Sequence, residues 1–412
     1  MHVAMTLVAV LLSVPIAGQV VVGPPVLLSP GFIDPIEQRG ASAASNGEII
    51  LIAWDESSAH EKRRLAASLV DATTGNLILP RFEISNGTSD GRAEVASNGN
   101  DFLVVWSRNA GPPWQIVGRR FTRHGIPLEA EPFVIAERGG WPVAASNGTD
   151  WIVIWIEDED DGLRRLRSTW ITHDGLIEDR DDLAIPSYAR DLAISWGRDG
   201  FLVAWTDLGR QPLPSCAWRF CAYASTIRGA LLDRKGFRIG DEVIDISNRD
   251  YSPSLSALAS GSEEFVVMYS MHGRLEAARL TFEGDLIGRT VDDEATLVTT
   301  HSVASTETTI SFNEDLFLAA WMTNHSSYAD VHAARIDRRG NLIDGPPFEY
   351  GLPLASTAAW EGEPALVKGS DGKLFLAYTE GDNAPLRVVV RLIESRTPPP
   401  RRRPVHGIRY PK

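Results

Sequence analysis

No stretch of this sequence carries the 3.6-residue apolar period of an amphipathic helix, which leaves strands as its building elements. Cysteine is almost missing: Cys216 and Cys221 are the only two among 412 residues. They lie four positions apart in the longest insertion, too few for a disulfide framework and without the His or Cys neighbours that a metal site needs. Basic charge is also short, 40 Lys and Arg against 54 Asp and Glu, for a net charge of −14. An acidic body of this kind argues against nucleic-acid binding. No H-E-x-x-H, G-x-S-x-G or phosphate-cradling Gly loop occurs. Long apolar runs are missing too. The one at residues 3–17 falls short of the ~20 residues that cross a bilayer, so no transmembrane span is expected. It ends in small residues and resembles a secretory signal, although no Lys or Arg precedes it. Residues 1–18 are therefore expected to be a signal peptide, and the mature chain to be secreted, periplasmic or extracellular.

What the sequence does have is repetition. Residues 93–106 read AEVASNGNDFLVVW, and the same phrase returns at 41–54 and 142–155. Looser copies fall at 191–205, 253–269, 308–321 and 364–378. The closing aromatics Trp54, Trp106, Trp155, Trp205, Tyr269, Trp321 and Tyr378 thus recur about every fifty residues, a period that marks solenoids, propellers and arrays. Each unit holds short apolar runs bounded by Gly, Asn and Pro. In the second unit the spacing predicts strands at 93–97, 102–106, 116–122 and 132–135. Asn98-Gly99 is the pair favoured by type I′ hairpin turns. The second strand is apolar at nearly every position, as in a strand buried on both faces. The first is rich in Ala and Ser, which suits crowding around an axis.

Four antiparallel strands per fifty residues make one propeller blade. The predicted fold is an all-β, seven-bladed β-propeller. Residues 23–29 read as a fourth strand without a blade, and the seventh unit stops after its third strand at 387–393. The two deficits are complementary, so the N-terminal strand is expected to complete the last blade and remove the open edges. The propeller then spans 19–395. Residues 396–412, with Pro398 to Pro400, Arg401, Arg402 and Arg403, read as a disordered basic tail.

The repeats resemble a family of bacterial secreted propeller proteins whose units run Val-Ala-x-Asn/Asp-Gly-x-x-Phe/Tyr-Leu-Val-Val-Trp, then Ala-Arg and a Gly hairpin. Ala278-Arg279, Ala334-Arg335 and the turns at Gly125, Gly175, Gly236, Gly284 and Gly340 carry the second half. The resemblance covers about residues 20–395. It implies a fold and an address outside the cytoplasm, and no defined activity.

Turns between strands one and two, and three and four, are tight, while the other links are longer. Those longer loops share one face, and loops carry function more often than the elements they join. Residues just ahead of each first strand should ring the channel mouth there: Arg39, Arg92, Trp141, Arg190, Ser252, Glu307 and Glu363. Three arginines and a tryptophan opposite two glutamates could hold a carboxylated or sulfated sugar, or could be rim charges that pair across the channel. Loop aromatics on this face (Trp114, Tyr188, Trp218, Tyr251, Tyr328, Trp360) suit sugar rings, or fold back to plug gaps. Asp158 and Asp160 sit in an acidic loop, Glu157 to Gly162, that reads either as solvated or as a calcium loop short of full register. His272, His301 and His325 could converge on a metal. In a secreted chain Cys216 and Cys221 would pair as a local disulfide.

Three functions follow as expectations. The first is a non-catalytic binding scaffold, monomeric, meeting a glycan or protein at the cell exterior. The second is a glycan hydrolase or lyase using Glu307 and Glu363. A glycosidase needs its carboxylates roughly 5–5.5 or 6.5–9.5 Å apart, and these two are expected to stand two blades apart and further than that. The third is a structural assembly module of the cell envelope.

Overall fold

In a computed structural model the chain forms seven antiparallel sheets of four strands, and no α-helix occurs among the described residues. The structure describes residues 20–30, 36–57, 63–85, 89–109, 111, 113–158, 164–180, 183, 186–212, 223–247, 253–288, 296–299, 307–324, 328–344, 351–382 and 385–395. Residues 1–18, expected to be a signal peptide, and residues 396–412, expected to be a disordered tail, lie outside them.

The innermost strands are Glu37–Ser45, Asp90–Ser97, Gly140–Ser146, Ala189–Trp196, Ser254–Ser260, Thr308–Phe312 and Trp360–Lys368. Each pairs with an apolar second strand such as Ile49–Ser57 or Phe102–Arg108, buried along almost its whole length. The repeated aromatics lie inside these second strands, which run on past them, and point into the gap with the preceding blade. Trp106 packs with Leu51, Ala53 and Leu65 of blade one, and Tyr378 with Leu318 and Ala333 of blade six. Trp54, Trp106, Trp205, Trp321 and Tyr378 are completely buried. The core is therefore seven inter-blade wedges, and the repeated aromatic fills each one.

The ring closes as expected. Val21–Val22 and Val26–Leu27 pair antiparallel with Arg387–Glu394, the third strand of the last blade. The predicted single strand at 23–29 is in fact two short pieces, because Pro24 and Pro25 have no N–H to give the ladder.

The Asn-Gly turn differs from expectation. A type I′ turn would need positive φ at both residues, yet only Gly99 has it (89°). Asn98 instead folds its side chain onto its own loop, where Oδ1 accepts the N–H groups of Asn100 (3.1 Å) and Asp101 (2.8 Å). Its Nδ2 then donates to the Thr149 carbonyl of the next blade (2.8 Å). Asn46, Asn147 and Asn313 repeat both bonds, onto the carbonyls of Asn100, Arg234 and Ser395. The repeated Asn is a staple between blades rather than a hairpin residue.

The Ala-Arg pair has a matching role. From the third strand of its blade, Arg279 donates to the carbonyls of Arg338 and Arg339 in the next blade's outer turn, each at 2.6 Å. Gly340 in that turn has φ 84°, and a Cβ there would meet Arg279 Cδ at 2.7 Å. Any larger residue would expel the arginine.

Candidate functional site at the channel mouth

Six of the seven innermost strands enter their sheets at the channel mouth with one residue too many, and Thr308–Phe312 of blade six pairs without a slip. The register slips between Arg39 and Ser42, Gly91 and Glu94, Gly140 and Val143, Arg190 and Leu192, Leu255 and Ala257, and Gly362 and Ala365. At most of these bulges one residue turns left-handed: Gly40 (φ 63°), Arg92 (59°), Trp141 (55°), Asp191 (51°) and Glu363 (53°). A bulge re-aims a side chain, and a non-Gly residue in this region persists only where its surroundings hold it.

The preceding blade does the holding. The Arg92 N–H donates to Asp55 Oδ1 (3.2 Å), that of Trp141 to Ser107 Oγ (3.2 Å), and that of Leu255 to Thr206 Oγ1 (2.8 Å). In the last blades the acceptor is a mouth carboxylate. The Glu363 N–H meets Glu307 Oε2 (3.3 Å), and the Gly40 N–H meets Glu363 Oε2 (2.8 Å).

This geometry corrects the expected ring in two blades. The bulged residue of blade one is Gly40 and not Arg39, and that of blade four is Asp191 and not Arg190. Arg92, Trp141, Glu307 and Glu363 stand where expected, and Ser252 lies outside the described residues. Arg92, Trp141, Arg190, Glu307 and Glu363 share one cavity of about 750 Å³ with Gly40, Glu94, Arg164 and Asp191. Arg39 stands at its edge, where Nη1 lies 3.5 Å from Glu363 Oε1.

Charge is distributed unevenly around this mouth. On the arc of blades two to four, Arg92 and Arg164 bring their guanidinium carbons to 5.7 and 5.5 Å from the centroid of the Trp141 ring. Arg190 stands beside them, with Nε 3.3 Å from Asp191 Oδ2. Glu307 and Glu363 occupy the other arc. They are on neighbouring blades, not two apart, because units six and seven follow each other around the ring.

Burial raises the Glu307 carboxyl above its ordinary range, and the adjacent Glu363 adds to the effect. Asp55 is pushed up to about 6 by burial, against the opposing pull of the Arg92 N–H and the Arg63 guanidinium. Glu94 rises to about 7, again through burial, while a bond from Ser42 Oγ (3.0 Å) opposes it. The Glu94 side chain is nonetheless open to the channel lumen, so it is ringed by protein yet wetted, and that water moderates the shift.

Arg164, Glu94, Asp191 and Asp55 were missed by the sequence reading. Asp55 follows the closing Trp54, as Ser107 follows Trp106 and Thr206 follows Trp205. A polar residue at that repeated place was the available signal.

Among the loop aromatics Trp114 and Tyr328 are exposed and Trp360 is half-buried, with Arg39 5.5 Å above its ring. Tyr188 is half-buried, while Trp218 and Tyr251 lie outside the described residues. Asp158 ends the strand Trp151–Asp158 and binds Arg164 Nε at 2.9 Å, while Asp160 lies outside the description. His272 with Gly273 forms a tight turn between the second and third strands of blade five, an exception to the long links expected there. His301, His325, Cys216 and Cys221 lie outside the described residues. Among the described residues no three His, Cys, Asp or Glu side chains gather as a metal site, and no helix is long and apolar enough to cross a membrane.

The fold and site together define a seven-bladed propeller with a polar, charge-divided channel mouth. No protein-family model matches the chain, and no curated protein matches it. Among solved structures it is similar to a protein of unknown function from Dyadobacter fermentans, at 12% identity and a TM-score of 0.50, covering 92% of this chain and 99% of that one. It is also similar to the Trypanosoma rangeli sialidase bound to the inhibitor DANA (7% identity, TM-score 0.49, 92% of this chain and 60% of that one). A third is the α-L-arabinofuranosidase PaAbf62A of Podospora anserina in complex with cellotriose (8% identity, TM-score 0.38, 92% and 98%). At these identities the likeness is one of fold.

Proposed function

We propose that this protein is a non-catalytic binding propeller of the cell exterior, of the bacterial secreted repeat type, which takes a glycan or protein ligand at its channel mouth. One observation carries the reading. The scaffold positions repeat from blade to blade, with an aromatic at every wedge and Asn staples in four blades. The mouth positions do not: Gly40, Arg92, Trp141, Asp191, Leu255, Glu307 and Glu363 occupy equivalent places. Packing alone would favour one residue seven times, so divergence at a solvent-open cavity supports recognition. The carboxylates nearest to a catalytic pair are engaged in holding backbone: Glu363 Oε2 accepts both the Gly40 N–H and Thr379 Oγ1–H (2.8 Å each).

The test is a panel of neutral, carboxylated and sulfated glycans presented to the mature protein, with a pull-down from the cell envelope beside it. Binding lost in Arg92→Ala or Arg190→Ala supports the mouth as the site. Blanks in both assays would remove the reading.

A glycan-active enzyme is the second reading, supported by the adjacency of Glu307 to Glu363 and by the raised Glu307 carboxyl, a feature of general acids. Turnover of a bound glycan, abolished by Glu307→Gln, would decide for it.

A further inference from the structure

We propose that the Arg92–Trp141–Arg164 corner of the mouth is an anion receptor, and that the ligand bound there is a sugar bearing a carboxylate or sulfate. This rests on the binding reading above and adds the chemical class of the ligand.

The argument begins with how each mouth cation is neutralised. Arg39 lies between Glu37 (3.4 Å) and Glu363 (3.5 Å), Arg190 has Asp191, and Arg164 turns Nε outward to Asp158. Arg92 differs. Among the described residues no carboxylate meets its guanidinium, and its partner is the face of Trp141. That one ring draws in two guanidinium groups. Cation–π attraction orients a guanidinium but leaves its charge in place, so the donors of Arg92 remain available to an anion.

The mouth acids are already engaged elsewhere. Asp191 Oδ2 accepts the hydroxyls of Thr206 (3.0 Å) and Ser254 (2.9 Å), Glu363 is held by Gly40 and Thr379, Glu307 holds the Glu363 N–H, and Glu94 accepts the Ser42 hydroxyl (3.0 Å). The Arg92 backbone is fixed in its left-handed turn by Asp55, which sets the direction in which the side chain leaves the strand, and the Trp141 ring lies under its guanidinium. The corner thus holds one guanidinium, that of Arg92, without a carboxylate partner among the described residues, beside a second, that of Arg164, paired through Nε to Asp158, and a guanidinium fork matches the paired oxygens of a carboxylate or sulfate. Across the cavity, Glu307 and Glu363 offer acceptor oxygens to hydroxyl groups, and about 750 Å³ is room for a short oligosaccharide. Trp141 then acts by positioning cations.

The experiment is calorimetric titration of the mature protein with three probes: trigalacturonate, its fully methyl-esterified form, and a sulfated neutral trisaccharide. Wild type is compared with Arg92→Gln, Arg164→Gln and, on the opposite face, Lys368→Gln. The expected result is that at least one acidic probe binds about tenfold or more tighter than the ester, equivalent to about 1.4 kcal/mol. Arg92→Gln and Arg164→Gln should each remove most of that preference, and Lys368→Gln none of it. The probe that binds tighter separates carboxylate from sulfate. Equal binding of acid and ester, unchanged in both arginine variants, would overturn the anion receptor and leave glycan binding standing. No heat from any probe up to about 10 mM would overturn it too, and the envelope pull-down would then decide whether the underlying binding reading survives.

Discussion

The Asp55 carboxylate of blade one accepts the backbone N–H of Arg92 in blade two, so a buried acid on one sheet fixes the left-handed turn that aims a mouth cation on the next. Its carboxyl titrates near 3.8 when solvated and near 6 in the folded ring. Folding therefore favours the protonated form. The associated stability is complete below about pH 3.8 and is lost as pH rises through about 6, to the extent of at most about 3 kcal/mol. Asp55→Asn keeps an acceptor for Arg92 and removes the titration. Thermal melts across pH 4 to 7 should show wild type losing ground to the variant as pH rises. Parallel curves would contradict the assignment.

The two fully buried tryptophans of blades one and two should answer differently to the same change. Trp54 Nε1 donates to Glu56 Oε1 (3.1 Å), and Glu56 is itself fully buried. Burial alone would raise that acid, yet bonds from Arg81 and Trp54, with the Arg81 and Arg64 charges, hold it below its ordinary range. Trp106 Nε1 has no hydrogen-bond partner. Trp54→Phe removes a donor from a buried carboxylate and should cost about 1–3 kcal/mol more than Trp106→Phe in chemical denaturation. Trp106→Ala should cost about 3–5 kcal/mol, as a large-to-small change in a full wedge.

Asn98 is the cheapest test of the staple. Asn98→Ala removes both the loop bonds and the bond to Thr149, with an expected loss of about 1–3 kcal/mol, whereas Asn100→Ala should be close to neutral. Equal midpoints for the two variants would mean that the inter-blade bond contributes nothing.

Removal of residues 20–29 should lower the unfolding midpoint of the whole ring rather than fray one end. Leu28 is fully buried between the last blade and blade one, and its carbonyl accepts the Ser68 hydroxyl (2.9 Å). An unchanged melt would argue against closure by this segment.

The blade count, the buried aromatics and the closure of the ring were legible in the sequence because each rests on a local pattern said many times over. Adjacent apolar residues such as Val104 and Val105, which pack into different inter-blade wedges, announce a two-faced strand by themselves. The mouth was legible in part. Counting back from each first strand found Arg92, Trp141, Glu307 and Glu363, but the bulge put Gly40 and Asp191 where Arg39 and Arg190 were expected. A bulge is set by which amide the neighbouring blade can hold, a contact between residues 34 to 56 positions apart, and 323 apart at Gly40, that no local pattern records. Arg164 escaped for the same reason, since it reaches Trp141 from a third strand. The Asn-Gly pair misled in the other direction. Its familiar use in hairpins concealed an amide spent on the next blade.

Val21–Val22 finds its partner only once Arg387–Glu394 has been made, although Arg387–Glu394 also pairs with Leu374–Gly381 beside it. Until then the last blade carries an open sheet edge, and closure joins strands that lie far apart in the sequence. Such long-range closure is slow and leaves edges open to wrong neighbours. The cost of a ring without ends therefore falls on biogenesis, and synthesis or refolding at low chain concentration should give the best yield of this protein.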